Sequence, residues 1–146
     1  MARTKERVTA VVLRGEKLLL IHRFREGKEY WIFPGGVEEG EDLETALRRE
    51  VLEETSLALT SHRRLFDQID DEGNTCIFYR CELAPGEPVL GGPEREAQSE
   101  ENQYILEWVE WKKVTLLGFI YPSAEGLMEV LTRGAMKSKR NSKRGS

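Results

Sequence analysis

Glu50, Glu53 and Glu54 stand at i, i+3 and i+4 in the stretch RREVLEETSL. If that segment is helical, three carboxylates meet at one spot. Like-charge pairs at this spacing cost only about 0.2–0.5 kcal/mol each on a wet helix, whereas carboxylates withdrawn from water cost far more unless paired or bound to a cation. A hard divalent cation with oxygen ligands, Mg²⁺ or Mn²⁺, resolves the repulsion directly. The competing explanation is a solvated helix face on which Arg48 and Arg49 screen the charge.

The apolar pattern predicts a helix over Leu43 to Thr55. At about 100° per residue, Leu43, Ala46 and Leu47 fall on one stripe, the side that packs on a core. Glu50 and Glu54 fall about 20° either side of the same line and Glu53 about 80° away, so the core-facing side passes from apolar to anionic.

The elements that must position this helix are mostly strands. VTAVVL (Val8 to Leu13) and KLLLIHRF (Lys17 to Phe24) form a hairpin about Arg14-Gly15-Glu16, and the second run is apolar on both parities, as in a strand covered on both faces. YWIF (Tyr30 to Phe33) is a short strand stopped by Pro34-Gly35-Gly36. LALTSHRRLFDQID and NTCIFYRCEL pair across DEGN. Ala84 to Asn102 is a long loop of the kind that carries function, QYILEWVEW a strand, and YPSAEGLMEVLTRG a helix capped by Ser123 and ended by Gly134. The simplest packing is an α/β/α sandwich with a mixed sheet between helices.

The chain of 146 residues suits one domain, expected over residues 1–136, followed by a basic, disordered tail over 137–146. The tail holds Lys137, Lys139, Arg140, Lys143 and Arg144, and without those five charges the net charge moves from −4 to −9. A body this acidic argues against broad nucleic-acid binding, although the tail could still attract phosphates. The N-terminus lacks a secretory signal and there is no long apolar run, so a cytoplasmic protein without a membrane partner is expected. Cys76 and Cys81 point to opposite faces of one strand and are expected to be buried, unbridged thiols.

The run Gly35, Glu41, Arg49-Glu50-Val51, Glu53-Glu54, Ser56-Leu57 resembles the signature of the Nudix hydrolase family over 23 residues, and the YWIFPGG strand and the SEENQYILEWVEW stretch extend the likeness over most of residues 5–133. The resemblance implies the Nudix-type fold and hydrolysis of a diphosphate linkage with Mg²⁺ or Mn²⁺. It implies Glu50, Glu53 and Glu54 as metal ligands or base, with the Gly35 or Gly36 carbonyl as a further ligand. Arg49 would orient the glutamates, and Glu41 would order the loop or reach metal through water. The role of base can also fall to an acid in the downstream loop, for which Glu100 and Glu101 are the candidates, Glu101 as the base and Glu100 as a substrate contact. Arg23 could contact a phosphate, or be a strand-edge charge. The chemistry fits without the name: a diphosphate repels hydroxide, and a glutamate among like charges has its pKa raised towards the range useful for a base.

The resemblance leaves the substrate open between a nucleoside triphosphate and another nucleoside diphosphate derivative. The proline that marks ADP-ribose pyrophosphatases is absent near Glu72, and so is the tyrosine of dinucleoside polyphosphate hydrolases. A catalytically silent nucleotide sensor is the alternative, and a homodimer is left open. An isoprenoid diphosphate isomerase fits poorly, because Cys76 and Cys81 lie on a mid-chain strand. Ser56 departs from the signature, which has glycine there. In a left-handed helix end serine costs about 1 kcal/mol, so Ser56→Gly is expected to leave turnover intact and stability equal or higher.

Overall fold

The structure, a computed structural model, describes residues 5–37 and 40–144, with side chains to residue 135. Glu38 and Glu39 therefore lie outside the described residues, as do 145–146. Eight strands form one sheet: β1 (Glu6–Arg14), β2 (Lys17–Arg25), β3 (Lys28–Ile32), β4 (Gly35–Val37), β5 (Leu59–Ile69), β6 (Thr75–Leu83), β7 (Asn102–Glu110) and β8 (Ile120–Tyr121). Among the described residues three α-helices accompany them, α1 (Leu43–Thr55), α2 (Gly92–Glu96) and α3 (Glu125–Arg144), with a 3-10 turn over Trp111–Leu116.

The sheet is mixed and forked. Strand β1 pairs in parallel with β6 along most of its length, and β6 pairs antiparallel with β5. On its other side β1 meets β2 only near their hairpin, at Leu13↔Leu18 and Arg14↔Lys17, and accepts β4 at Arg7↔Val37 to Thr9↔Gly35. Strand β2 leaves β1 to pair with β7 and β3, and β8 closes that half in parallel with β3.

Strand parity divides the core. Val8, Ala10, Val12 and Leu19 pack with Ala46, Leu47 and Val51 of α1, while Val11, Leu18, Leu20 and Phe78 pack with Leu127 of α3. Leu18, Leu19, Leu20 and Ile21 are all buried, so β2 is covered on both faces as its sequence predicts. Cys76 and Cys81 belong to opposite core clusters and are both free thiols. Burial pushes the Cys81 thiol up to about 12, which leaves it inert at neutral pH.

Three elements differ from the sequence expectation. The Gly-Gly after Pro34 does not merely stop a strand but forms β4, because β1 beyond the hairpin offers an unpaired edge. The 84–102 loop contains α2, begun by Pro93 at a first-turn position where its missing N–H costs nothing. Helix α3 starts at Glu125, whose N–H donates to Ser123 Oγ at 3.4 Å, and it runs through Gly134 to Arg144. A lone glycine in a helix interior costs only about 1 kcal/mol, so Gly134 is not a stop, and the tail expected to be disordered is helical to Arg144. Among the described residues no helix is long and apolar enough to cross a membrane.

Candidate functional site

Helix α1 begins where the sequence predicts because Asp42 Oδ1 accepts from the Thr45 N–H at 2.7 Å, capping an orphan donor. Its apolar stripe is buried through Ala46, Leu47 and Val51. The next turn brings Glu50 and Glu54 against the β4 glycines, and Glu54 is only 2% exposed.

Glycine is required at both β4 positions. A Cβ on Gly36 would lie 2.4 Å from Glu50 Oε1, and one on Gly35 would lie 2.0 Å from the Val8 carbonyl oxygen. Gly35 also has φ +140, a conformation that side chains rarely adopt. The missing side chains let the helix carboxylates approach the β4 backbone, where the Gly35 N–H donates to Glu54 Oε1 at 3.0 Å.

Arg49 holds the outer carboxylates. Its Nε and Nη2 donate to Glu41 Oε1 at 2.8 and 2.5 Å, and Nη1 donates to Glu50 Oε1 at 3.0 Å. A long contact of 3.5 Å reaches Glu53 Oε2. One planar guanidinium thus links the helix entry to the acidic turn, a geometry that a point charge cannot reproduce.

Burial pushes the Glu54 carboxyl well above the ordinary carboxylate range, and the adjoining Glu50 raises it further. Glu50 is also raised, first by burial, although hydrogen bonding from Glu54 and the Arg49 charge oppose the shift. Of the two, Glu54 is the more deeply buried and the more strongly raised, because its carboxyl lies away from water beside a second acid. Two carboxyl groups brought together away from water oppose each other's ionisation, and an oxygen-seeking cation would relieve that opposition.

A further acid approaches from the downstream loop, and it is not the one the sequence suggested. Glu100 and Glu101 lie beside the β2–β3 turn with Phe24, Arg25, Gly27 and Lys28. The Glu101 carbonyl accepts from the Glu26 N–H at 3.0 Å. Glu94 instead reaches the α1 cluster, where its charge acts on Glu54. Its Oε2 is buried without a hydrogen-bond partner among the described residues. A Cβ on Gly92 would lie 3.1 Å from Glu53 Cβ and 3.5 Å from this same oxygen. The GGPE run that brings Glu94 in is legible in hindsight: paired glycines permit close approach to a helix, and proline starts a turn.

Arg23 is 4% exposed and engaged. Its Nη1 donates to Asn102 Oδ1 and the Gln103 carbonyl at 2.8 and 2.9 Å, and the guanidinium stacks 3.5 Å from the Tyr104 ring centroid. Asn102 Nδ2 in turn donates to the Ala97 carbonyl at 3.0 Å. The geometry ties Arg23 to the end of the 84–102 loop rather than aiming it at the glutamates.

The donors fit a hard divalent cation: they are all oxygen, they surround a glycine cradle, and one buried carboxylate oxygen has no partner. Among the described residues the side chains do not form a closed ligand set, and Glu50 Oε1 is held by Arg49 instead.

The model of the NUDIX domain matches residues 3–131. The chain belongs to the Nudix family. Membership places it among hydrolases acting on phosphorus-containing anhydrides. Among solved structures it is similar to a MutT Nudix hydrolase from Burkholderia pseudomallei, at 27% identity and TM-score 0.58 over 76% of this chain and 86% of that one. It is also similar to the Escherichia coli ORF135 protein, at 23% identity and TM-score 0.65 over 94% of each chain. A UDP-X diphosphatase shares 22% identity at TM-score 0.66, over 94% of this chain and 66% of the other. Among curated proteins no sequence matches significantly. These likenesses bear out the Nudix-type fold and a MutT-like relationship within the family.

Proposed function

We propose that this Nudix protein is a divalent-metal-dependent pyrophosphohydrolase, cleaving a diphosphate linkage in a nucleoside triphosphate or a nucleoside diphosphate derivative by attack of water on phosphorus. The observation that supports it is the buried Glu54 with the partly buried Glu50 beside Gly35 and Gly36, with Glu94 brought against the same cluster.

Glu50, Glu53 and Glu54 would hold Mg²⁺ or Mn²⁺, with a Gly35 or Gly36 carbonyl as a further ligand. The bound cation supplies neutralisation of the phosphate oxygens and polarisation of phosphorus. Arg49 keeps Glu50 oriented, and Glu41 anchors Arg49 from the helix entry. Glu94 takes the role first considered for Glu101: its unpartnered Oε2 is the acceptor for the proton of the attacking water. Arg23 serves the reaction through the loop end that it braces. The soluble chemistry of a nucleotide substrate and the two buried free thiols suit a cytoplasmic setting.

The test is a panel of deoxynucleoside triphosphates, nucleoside diphosphate sugars and dinucleoside polyphosphates with Mg²⁺ or Mn²⁺, products being identified chromatographically. Turnover that needs the cation and is lost in Glu53→Gln and Glu54→Gln is expected. Nucleotide binding without turnover of any panel member would move the protein to a silent sensor and overturn the proposal.

A further inference from the structure

Ser56 occupies the position where the signature has glycine, and it keeps a glycine-like conformation, φ 62 and ψ 12. Its N–H closes the helix on the Leu52 carbonyl at 2.9 Å, which glycine would do equally well. What serine adds is its hydroxyl, which donates to the Val89 carbonyl at 2.6 Å.

That bond belongs to a seam along the end of α1. The Val89 N–H donates to the Thr55 carbonyl at 2.8 Å, and the Gly91 N–H donates to the Glu53 carbonyl at 3.0 Å. The seam is close-fitting, since a Cβ on Gly91 would lie 3.0 Å from that Glu53 oxygen and 3.2 Å from Ser56 Oγ. Pro93 and Glu94 follow at once, and the far side of α2 is tied down by Asn102 on the Ala97 carbonyl. The segment carrying Glu94 is thereby fastened at both ends, and at its near end a side chain rather than backbone alone does part of the fastening.

We propose that Ser56 is a positioning residue, whose hydroxyl clamps the Val89–Glu94 segment onto α1 so that Glu94 stands over the glutamate cluster. The inference rests on Glu94 acting in the reaction proposed above. It replaces the sequence expectation that Ser56→Gly is functionally neutral. The strained backbone is the cost of keeping a hydroxyl at this place.

Ser56→Gly and Ser56→Ala separate the clamp from the strain, because both remove the hydroxyl while only glycine relaxes the left-handed backbone. Amide hydrogen exchange at Val89 and Gly91 is measured on the full chain, alongside Tm and the kcat and KM of the panel compound turned over fastest. Both variants should exchange these amides faster than wild type and lose kcat by roughly two- to fivefold, the lower part of the range for one hydrogen bond at an exposed site. KM should be unchanged, and Tm should fall in Ser56→Ala but hold or rise in Ser56→Gly. Unchanged exchange in both variants overturns the clamp. Faster exchange with wild-type kcat in Ser56→Gly overturns the positioning role. Glu94→Gln, run in parallel, isolates the underlying reading: wild-type kcat there removes Glu94 from the mechanism and the positioning role with it, while exchange at Val89 still reports on the clamp itself.

Discussion

Glu50 lies against Gly36 so closely that a Cβ there would come within 2.4 Å of Oε1. The clash is with the end of a flexible side chain rather than with backbone, so Gly36→Ala should fold and displace the carboxylate. A displacement of about 1 Å can cost about 10²-fold in rate. Steady-state kinetics with unchanged circular dichroism is the expected pairing, and near-wild-type kcat would show that Glu50 does not need its present place. Gly35→Ala should behave differently, failing to fold stably, because the added carbon meets the Val8 backbone.

Glu54 and Glu50 have pKa values raised by burial in the folded chain. The unfolded chain gives up these protons at ordinary carboxylate pH, so the folded state binds more protons above that point. With a chelator present, stability from these groups is full below the unfolded carboxylate pKa and is lost as pH rises through the raised folded values. Glu54→Gln should flatten that decline in a Tm-against-pH series. It should also abolish any Tm gain on adding Mg²⁺ or Mn²⁺. An unaltered pH slope in the variant would contradict the direction of the Glu54 shift.

Arg49→Lys keeps the charge and removes the fork that spans Glu41 and Glu50. Activity should fall by roughly tenfold or more, since a hydrogen bond to a charged group contributes about 1.5–3 kcal/mol. The comparison with Arg49→Ala decides whether charge or geometry matters. Equal activity of Arg49→Lys and wild type would assign Arg49 to charge balance alone.

Glu94→Gln and Glu101→Gln form a matched pair across the downstream loop. Loss of a proton acceptor typically costs about 10²–10⁴-fold in rate, and that loss is expected for Glu94→Gln. Glu101→Gln, beside the β2–β3 turn, should retain wild-type kcat. A reversal of the two results would restore the role to Glu101.

Arg23→Met should be felt as stability first. It removes two donated hydrogen bonds and a stacked cation while leaving Asn102 Oδ1 without that donor. Urea denaturation should show a loss of about 2 kcal/mol or more. A large rise in KM at unchanged stability would instead mark Arg23 as a phosphate contact.

Composition and local pattern alone determined a good deal of this protein. The limits of α1 follow from its apolar stripe and the Asp42 cap, both properties of neighbouring residues. The full burial of β2 is written in its unbroken run from Leu18 to Ile21, and the change of face from Leu47 to Glu50 is a matter of helical period. The left-handed end at Ser56 was suggested only by the resemblance, whose signature has glycine there, and the structure decided between that geometry and a different closure. What required the tertiary structure was every partnership across a long stretch of chain. Glu94, Glu100 and Glu101 look alike in sequence, and the distinction arises because Gly91 and Gly92 allow that loop to lie on α1 while the Glu101 backbone is taken up by Glu26. Arg23 is a strand arginine until β7 pairs beside it and supplies Asn102, Gln103 and Tyr104. The Ser56 hydroxyl has no local acceptor with a reason to be there until Val89 is brought back across 33 residues. Local spacing dictates which face a residue occupies, but only chain closure dictates what that face meets.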